Sequence, residues 1–165
     1  MNDDVNEDRT PTACGRPGPG DQPTVADRAW LAIACRLATQ CPPSDSAFSV
    51  GAVVVADDGT ELARAHSRER DTDAHAEESV LAKVDAGDPR LSDATLYSSL
   101  GPCAEPSSRP RPRPLPRTRL IGESGLRRVV TACAWGAESL EAAGVTVLEL
   151  PEYADAAKAP NAHLL

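Results

Sequence analysis

Apolar residues recur along the chain with two different periods, and these periods predict its secondary structure. Thr24 and Asp27 together resemble a capping box, and the apolar positions that follow them have helical spacing. This pattern continues to about Gln40, just before Pro42 and Pro43. Because proline cannot continue a helix, we predict a first helix that begins at Thr24 and stops ahead of the two prolines.

The following segments alternate between strand-like and helix-like patterns. Short apolar runs rich in β-branched residues predict strands, whereas apolar positions three and four apart predict helices. Strands that alternate with helices predict an α/β fold with a partly parallel sheet. The predicted strands are residues 48–56, 61–67, 94–100, 128–134 and 145–150; the later helices are residues 74–86, a short helix ending near 126, and 138–143; the remainder is a docking tail.

Two segments depart from this alternation. Residues 1–23 are acidic, contain several prolines and glycines, and have almost no large apolar side chains. We therefore predict a disordered tail ahead of one domain of residues 24–165. Residues 109–119 alternate arginine with proline, which removes backbone donors and disfavours helix at each preceding residue. An extended loop is predicted there.

The arginines of this loop allow two interpretations. The simpler one is a loop whose charges are solvated. The other is a phosphate clamp for a nucleotide, formed by Arg109, Arg111 and Arg113, because guanidinium groups match phosphate geometry.

Composition limits the classes of function. A chain of 165 residues suits one domain, and its net charge of -8 argues against a non-specific nucleic-acid or membrane binder. Trp30 and Trp135 are interpreted as packing residues. The five cysteines are odd in number and scattered, and no secretory or membrane-spanning apolar run accompanies them. We therefore expect a reduced, cytoplasmic protein with free thiols.

The residues with the most chemical potential are His75, Glu77 and Cys103. At a helix N-terminus, His75 and Glu77 can face one site, although in mid-helix they would point apart. Cys103 follows Pro102 at another expected helix start, where a thiolate is stabilised. An imidazole and a thiolate are zinc ligands, and a zinc-bound water has a pKa of about 7. In such a site Glu77 would serve as acid and base rather than as a ligand.

Four segments in this order resemble the cytidine and deoxycytidylate deaminase superfamily, most of all the pyrimidine deaminase domain of bifunctional riboflavin biosynthesis proteins. They read SVGAVVV at 49–55, HAEE at 75–78, LYSSLGPC at 96–103 and GLRRVV at 125–130. The resemblance implies a three-layer α/β fold with a central five-stranded mixed sheet flanked by helices. It also implies one catalytic zinc ion per chain, an aminopyrimidine substrate that carries ribose phosphate, and a homo-oligomer. His75 and Cys103 would be ligands and Glu77 the proton shuttle.

The chain departs from this family at its second zinc cysteine. The positions at which the resemblance expects that cysteine hold Pro106, Pro112 and Arg113. Cys133 and His66 are candidates for a third ligand, since a catalytic zinc requires three protein ligands plus water. An arginine at the ligand position would instead place a fixed cation where the metal belongs.

A second departure concerns the sugar. The asparagine that the family has just before the first strand, and that is expected to hold the sugar, is replaced here by Ala47, Phe48 and Ser49.

Three hypotheses of function follow. The first is a zinc-dependent hydrolytic deaminase of an exocyclic amine on a pyrimidine ribose phosphate. The second is a catalytically degenerate homologue that binds a nucleotide or partner through the arginine-proline loop. The third is a deaminase of nucleic-acid bases, which the lack of aromatic residues among the loop arginines disfavours.

Overall fold

The fold is a mixed five-stranded sheet covered by helices on both faces. A computed structural model of the chain describes residues 22–102 and 117–165. In these residues the helices are α1 Val25–Ala38, α2 Ala76–Ala82, α3 Arg117–Glu123, α4 Ala137–Ala142 and α5 Ala154–Lys158. The strands are β1 Gly51–Val55, β2 Glu61–His66, β3 Thr95–Ser98, β4 Arg128–Thr131 and β5 Thr146–Glu149, and short 3-10 helices span Pro89–Asp93, Pro151–Tyr153 and Ala159–Leu164.

The strands lie in the order β2-β1-β3-β4-β5. β1 pairs antiparallel with both β2 and β3, whereas β3–β4 and β4–β5 are parallel. The hairpin β1–β2 turns at Asp58 and Gly59, and the glycine has a φ of 86°, which few other residues adopt readily. The predicted α/β class and mixed five-stranded sheet are confirmed.

Side chains of β3 show how the two helical layers are arranged. The Tyr97 hydroxyl reaches Asp27 of α1, whereas the Ser98 hydroxyl reaches Glu77 of α2. Because successive side chains of a strand point to opposite faces, α1 and α2 cover opposite faces of the sheet. Helix α5 contacts α1, and α3 contacts both α2 and α4. The sheet and these two helical groups form three layers.

A buried carboxylate connects α1 to the sheet. Asp27 and Thr24 form the predicted capping box. Asp27 also accepts hydrogen bonds from Tyr97 Oη at 2.8 Å and from both terminal nitrogens of Arg128 at 2.8 Å each. Burial alone would raise the pKa of Asp27, but the bonds from Arg128, Thr24 and Tyr97 together hold that pKa well below its ordinary value.

A glycine permits close contact between α1 and β1. A Cβ atom on Gly51 would lie 2.0 Å from the Ala34 carbonyl oxygen and 2.7 Å from Leu37 Cβ. Any larger residue would therefore push the helix away from the central strands.

The outer edge of the sheet at β2 carries charged side chains. Lys83, just after α2, donates from Nζ to the Arg64 carbonyl oxygen at 2.7 Å. The Arg64 guanidinium in turn pairs with Glu61 on the same strand.

Several predicted boundaries were wrong. Helix α2 starts at Ala76 and ends at Ala82, a shorter span than residues 74–86. The last three residues of the extended loop predicted for residues 109–119 are helical instead, since they belong to α3. Proline restricts the residue before it rather than the one after it, so residues behind the last proline of the run can be helical.

Two further expectations concern the N-terminal tail and membrane-spanning segments. The disordered tail predicted for residues 1–23 lies almost entirely outside the described residues. In the described part of the chain, none of the helices combines the length and the apolar character needed to cross a membrane.

Replacing Asp27 should test the connection between α1 and the sheet. Asp27→Asn leaves the Arg128 charge without its buried partner, so we expect a loss of about 3 kcal/mol in the free energy of unfolding at pH 7. A lowered pKa contributes stability that is present above the ordinary value near 3.9 and disappears as the pH falls through the folded value. The unmodified protein and Asp27→Asn should therefore differ less in their free energy of unfolding below about pH 4.

Urea unfolding at several pH values measures this difference. Arg28→Gln is the matched control, because the ion pair of Arg28 with Glu152 is exposed and should contribute less than about 1 kcal/mol. Two outcomes would contradict the role of Asp27 in joining α1 to the sheet. One is an equal loss in the free energy of unfolding for both variants, and the other is a loss for Asp27→Asn that does not change with pH.

Candidate active site

His75 and Glu77 lie at the open end of α2. His75 is the N-cap residue, with extended backbone angles of φ -84° and ψ 155°, and Glu77 lies in the first helical turn. The two residues are therefore not both inside the helix, where they would point apart. Both residues lie at a helix N-terminus as the sequence predicted, but the predicted helix began at residue 74, whereas His75 is itself the N-cap.

Glu77 is a buried acid. Only 3% of the surface of Glu77 is exposed to solvent. Burial raises the pKa of Glu77, while its own backbone amide, the charge of Arg117 and the Ser98 hydroxyl oppose that rise. The direction of this shift is the one expected of a carboxyl group that serves as an acid as well as a base.

Ser98 holds the Glu77 carboxyl group from the adjacent strand. Ser98 Oγ donates to Glu77 Oε1 at 3.0 Å and lies 2.7 Å from the Leu100 carbonyl oxygen, to which it also donates. A hydroxyl carries one hydrogen, so Ser98 shares that hydrogen between the two acceptors.

Arg117, the first residue of α3, contacts His75. Its Nη1 atom lies 2.5 Å from Nε2 of the imidazole. A guanidinium group can only donate, so Nε2 must be the acceptor in this pair. The charge of Arg117 also acts on the Glu77 carboxyl. Arg117 therefore reaches both residues that the sequence singled out at α2.

The sequence did not predict that Arg117 contacts His75. The arginines proposed to bind the substrate, Arg109, Arg111 and Arg113, lie outside the described residues. Arg117 follows the last proline of the run, so no proline forbids helix at this position, and this was the one signal available.

The described residues do not by themselves fit a resident zinc ion. In residues 22–102 and 117–165, no three His, Cys, Asp or Glu side chains form a group that could hold a metal. Nε2 of His75 accepts a hydrogen bond from the positively charged guanidinium group of Arg117. The other predicted ligand, Cys103, lies outside the described residues.

The two candidates for a third ligand have other neighbours. His66 Nδ1 lies 3.0 Å from the Ser67 carbonyl oxygen, and its Nε2 lies 3.9 Å from Glu69. Cys133 is buried, which raises the pKa of its thiol, and it influences the thiol of Cys35 on α1. A ligand role for either residue stays a prediction.

The chain approaches Cys103 through a tight contact with the segment after β4. The Gly101 amide donates to the Cys133 carbonyl oxygen at 2.8 Å. A Cβ atom on Gly101 would lie 2.6 Å from that oxygen and 2.6 Å from the Trp135 carbonyl oxygen. Only glycine at position 101 therefore allows the chain to pass this close to the segment after β4.

The segment before β1 is held by side chains from distant parts of the chain. The Ser49 amide donates to Asn161 Oδ1 at 2.6 Å, and Asn161 Nδ2 donates to the Ser49 carbonyl oxygen at 2.9 Å. Arg68 donates to the carbonyl oxygens of Ala47 and Phe48. The Phe48 ring in turn packs against Trp135, with ring centroids 5.8 Å apart. This segment is the one in which the resemblance expects an asparagine.

Comparison with known proteins identifies the class to which this fold and site belong. A family model described as the cytidine and deoxycytidylate deaminase zinc-binding region matches residues 24–133. The match covers more than half of the chain, so the chain belongs to the cytidine and deoxycytidylate deaminase family. The resemblance stated from the sequence is confirmed.

Within this family, the chain is similar to riboflavin-pathway enzymes. A diaminohydroxyphosphoribosylamino-pyrimidine deaminase of Schizosaccharomyces pombe is 33% identical over 136 residues, which are 76% of this chain and 32% of that protein. The chain thus spans about a third of the length of this curated relative. RibD of Acinetobacter baumannii superposes with a TM-score of 0.67 at 25% identity, over 83% of this chain and 38% of RibD. The Rib2 deaminase of Aspergillus oryzae, at 21% identity and a TM-score of 0.67 over 81% of this chain and 91% of its own, shares the fold.

Substitution of Ser98 should test its hydrogen bonds with Glu77 and Leu100. Ser98→Ala leaves the Leu100 carbonyl oxygen and the Glu77 carboxyl without this buried partner, so we expect a loss of about 1–3 kcal/mol in the free energy of unfolding. Thermal or urea unfolding measures it. Ser79→Ala is the matched control, because the buried Ser79 Oγ has no hydrogen-bond partner among the described residues and its removal should cost almost nothing. Equal losses of stability for the two substitutions would contradict a stabilising role of the Ser98 hydrogen bonds.

Proposed function

We propose that this chain is a hydrolytic deaminase of the riboflavin-pathway type, which acts on the exocyclic amine of a pyrimidine that carries ribose phosphate. The observation that supports it most is Glu77, a buried acid with a raised pKa that contacts Ser98 at the start of α2. The similarity to a diaminohydroxyphosphoribosylamino-pyrimidine deaminase supports the substrate class.

Glu77 is the proposed catalytic acid and base. Hydrolytic deamination replaces an amine on a ring carbon by oxygen from water and releases ammonia, so a proton must reach the departing nitrogen. A protonated Glu77 can give that proton, and the resulting carboxylate can accept one from water. Ser98 and Leu100 keep the carboxyl group oriented during this exchange.

Zinc is part of the proposal because the matched family region is a zinc-binding one. His75 and Cys103 are the proposed ligands, and the third ligand is unassigned.

The loop arginines Arg109, Arg111 and Arg113 are proposed to bind the substrate phosphate. Their substitution should therefore weaken binding of a phosphorylated substrate more than binding of the matching nucleoside.

Ammonia release tests the proposed activity. Purified full-length protein, supplied with zinc, is incubated with a panel of aminopyrimidine nucleotides and the matching nucleosides. We expect turnover of a ribose phosphate, and a loss of at least about a hundredfold in kcat for Glu77→Gln, which cannot exchange the proton. Glu78→Gln, one residue further along the helix, should keep the activity of the unmodified protein.

One observation favours a second function, namely binding of the same class of nucleotide without turnover. The contact of Arg117 with His75 Nε2 places a cation beside a proposed zinc ligand. Calorimetric binding of a nucleotide by zinc-supplied protein that releases no ammonia from any of the panel would support this second function against the first. Absence of both binding and turnover would contradict both.

A further inference from the structure

The contact between Arg117 and His75 is made where α2 and α3 pack together. His75 caps the N-terminus of α2, and Arg117 belongs to α3, which contacts α2. The guanidinium Nη1 of Arg117 lies 2.5 Å from the imidazole Nε2. His75 is partly buried, so this contact is made in a region with limited access to water.

The contact occupies the electrons that a metal would need. A guanidinium group has only donors, so the Nε2 atom accepts through its lone pair. A zinc ion binds histidine through the lone pair of an unprotonated ring nitrogen. If zinc takes Nε2, Arg117 loses its acceptor. If zinc takes Nδ1, the hydrogen of the neutral ring lies on Nε2, which then donates and cannot accept from Arg117. Zinc binding at either nitrogen is therefore incompatible with this contact.

The charge of Arg117 acts in the same direction. The guanidinium group carries a fixed positive charge. Its influence reaches the Glu77 carboxyl as well as His75. A dication that approached this position would meet a fixed like charge in surroundings where charges are weakly screened.

We propose that Arg117 and a metal ion are mutually exclusive partners of His75, so that zinc binds through His75 only when the Arg117 side chain has moved away. Arg117 is then the residue that sets the zinc affinity of this site. The inference concerns metal binding alone and does not depend on which substrate the protein takes or whether it turns any substrate over.

Zinc titration of the full-length protein tests the proposal. The probe is zinc alone, in competition with a chromophoric chelator of known affinity. Removing the guanidinium in Arg117→Ala frees the lone pair and removes the like charge, so we expect zinc to bind about tenfold to a hundredfold more tightly than to the unmodified protein. The gain should disappear when His75→Ala is combined with Arg117→Ala.

The helix offers a matched control. Arg119 lies two residues further along α3, is exposed and pairs with Glu123 at 2.7 Å. Arg119→Ala removes the same charge and the same side chain from the same helix but should leave zinc affinity within about twofold. An equal gain for Arg119→Ala would show a general effect of net charge and would overturn the proposal.

A second variant guards against a trivial loss of structure. Arg117→Cys replaces the cation by a donor that can itself bind zinc, and it should bind zinc more tightly than Arg117→Ala if this side chain faces the metal position. Thermal unfolding without metal checks that each variant is folded. Unchanged affinity in both folded variants, or a gain that survives His75→Ala, would overturn the proposal.

A spectroscopic measurement on metal-free protein gives an independent outcome. The ¹⁵N chemical shift of His75 Nε2 reports whether that atom accepts a hydrogen bond, and it should change between the unmodified protein and Arg117→Ala. The same shift in both proteins would show that Arg117 does not engage Nε2 in solution and would overturn the proposal.

Discussion

The buried carboxylate of Asp27 is the interaction on which the arrangement of the layers depends. The Asp27 side chain completes the capping box of α1. It also accepts a hydrogen bond from Tyr97 of β3 and one from each terminal nitrogen of Arg128 on β4. Burying a carboxylate is unfavourable unless it is fully hydrogen-bonded, and here its partners come from three elements at once. The helix is thereby held in one orientation across the parallel part of the sheet.

That orientation determines what the opposite face of the sheet can do. Tyr97 points to α1, so its neighbour Ser98 must point to α2, where it contacts Glu77. The Ser98–Glu77 contact of the site thus depends on the same strand whose Tyr97 donates to Asp27 on the other face. A shift of β3 by one residue would exchange the two side chains and remove both contacts.

Local features were predictable from the sequence, whereas features that join distant residues were not. The Thr24–Asp27 capping box and the position of His75 at a helix start follow from residue types a few positions apart. The partner of Asp27 could not be identified, because Arg128 lies 101 residues further along the chain. A serine in an apolar strand carries no signal of what it contacts, so Ser98 was not recognised as a partner of Glu77. Arg117 was predicted to lie in a loop because prolines alternate with other residues directly before it.

The charged edge at β2 affects how the sheet can meet another chain. An edge strand offers unpaired backbone groups, and a second strand could add to them. Here Lys83 already donates to the Arg64 carbonyl oxygen, and the Arg64–Glu61 ion pair lies on the same strand. An approaching strand would have to displace the lysine and desolvate these charges. This edge is therefore protected against intermolecular β-pairing, and with it against the aggregation that exposed strands promote.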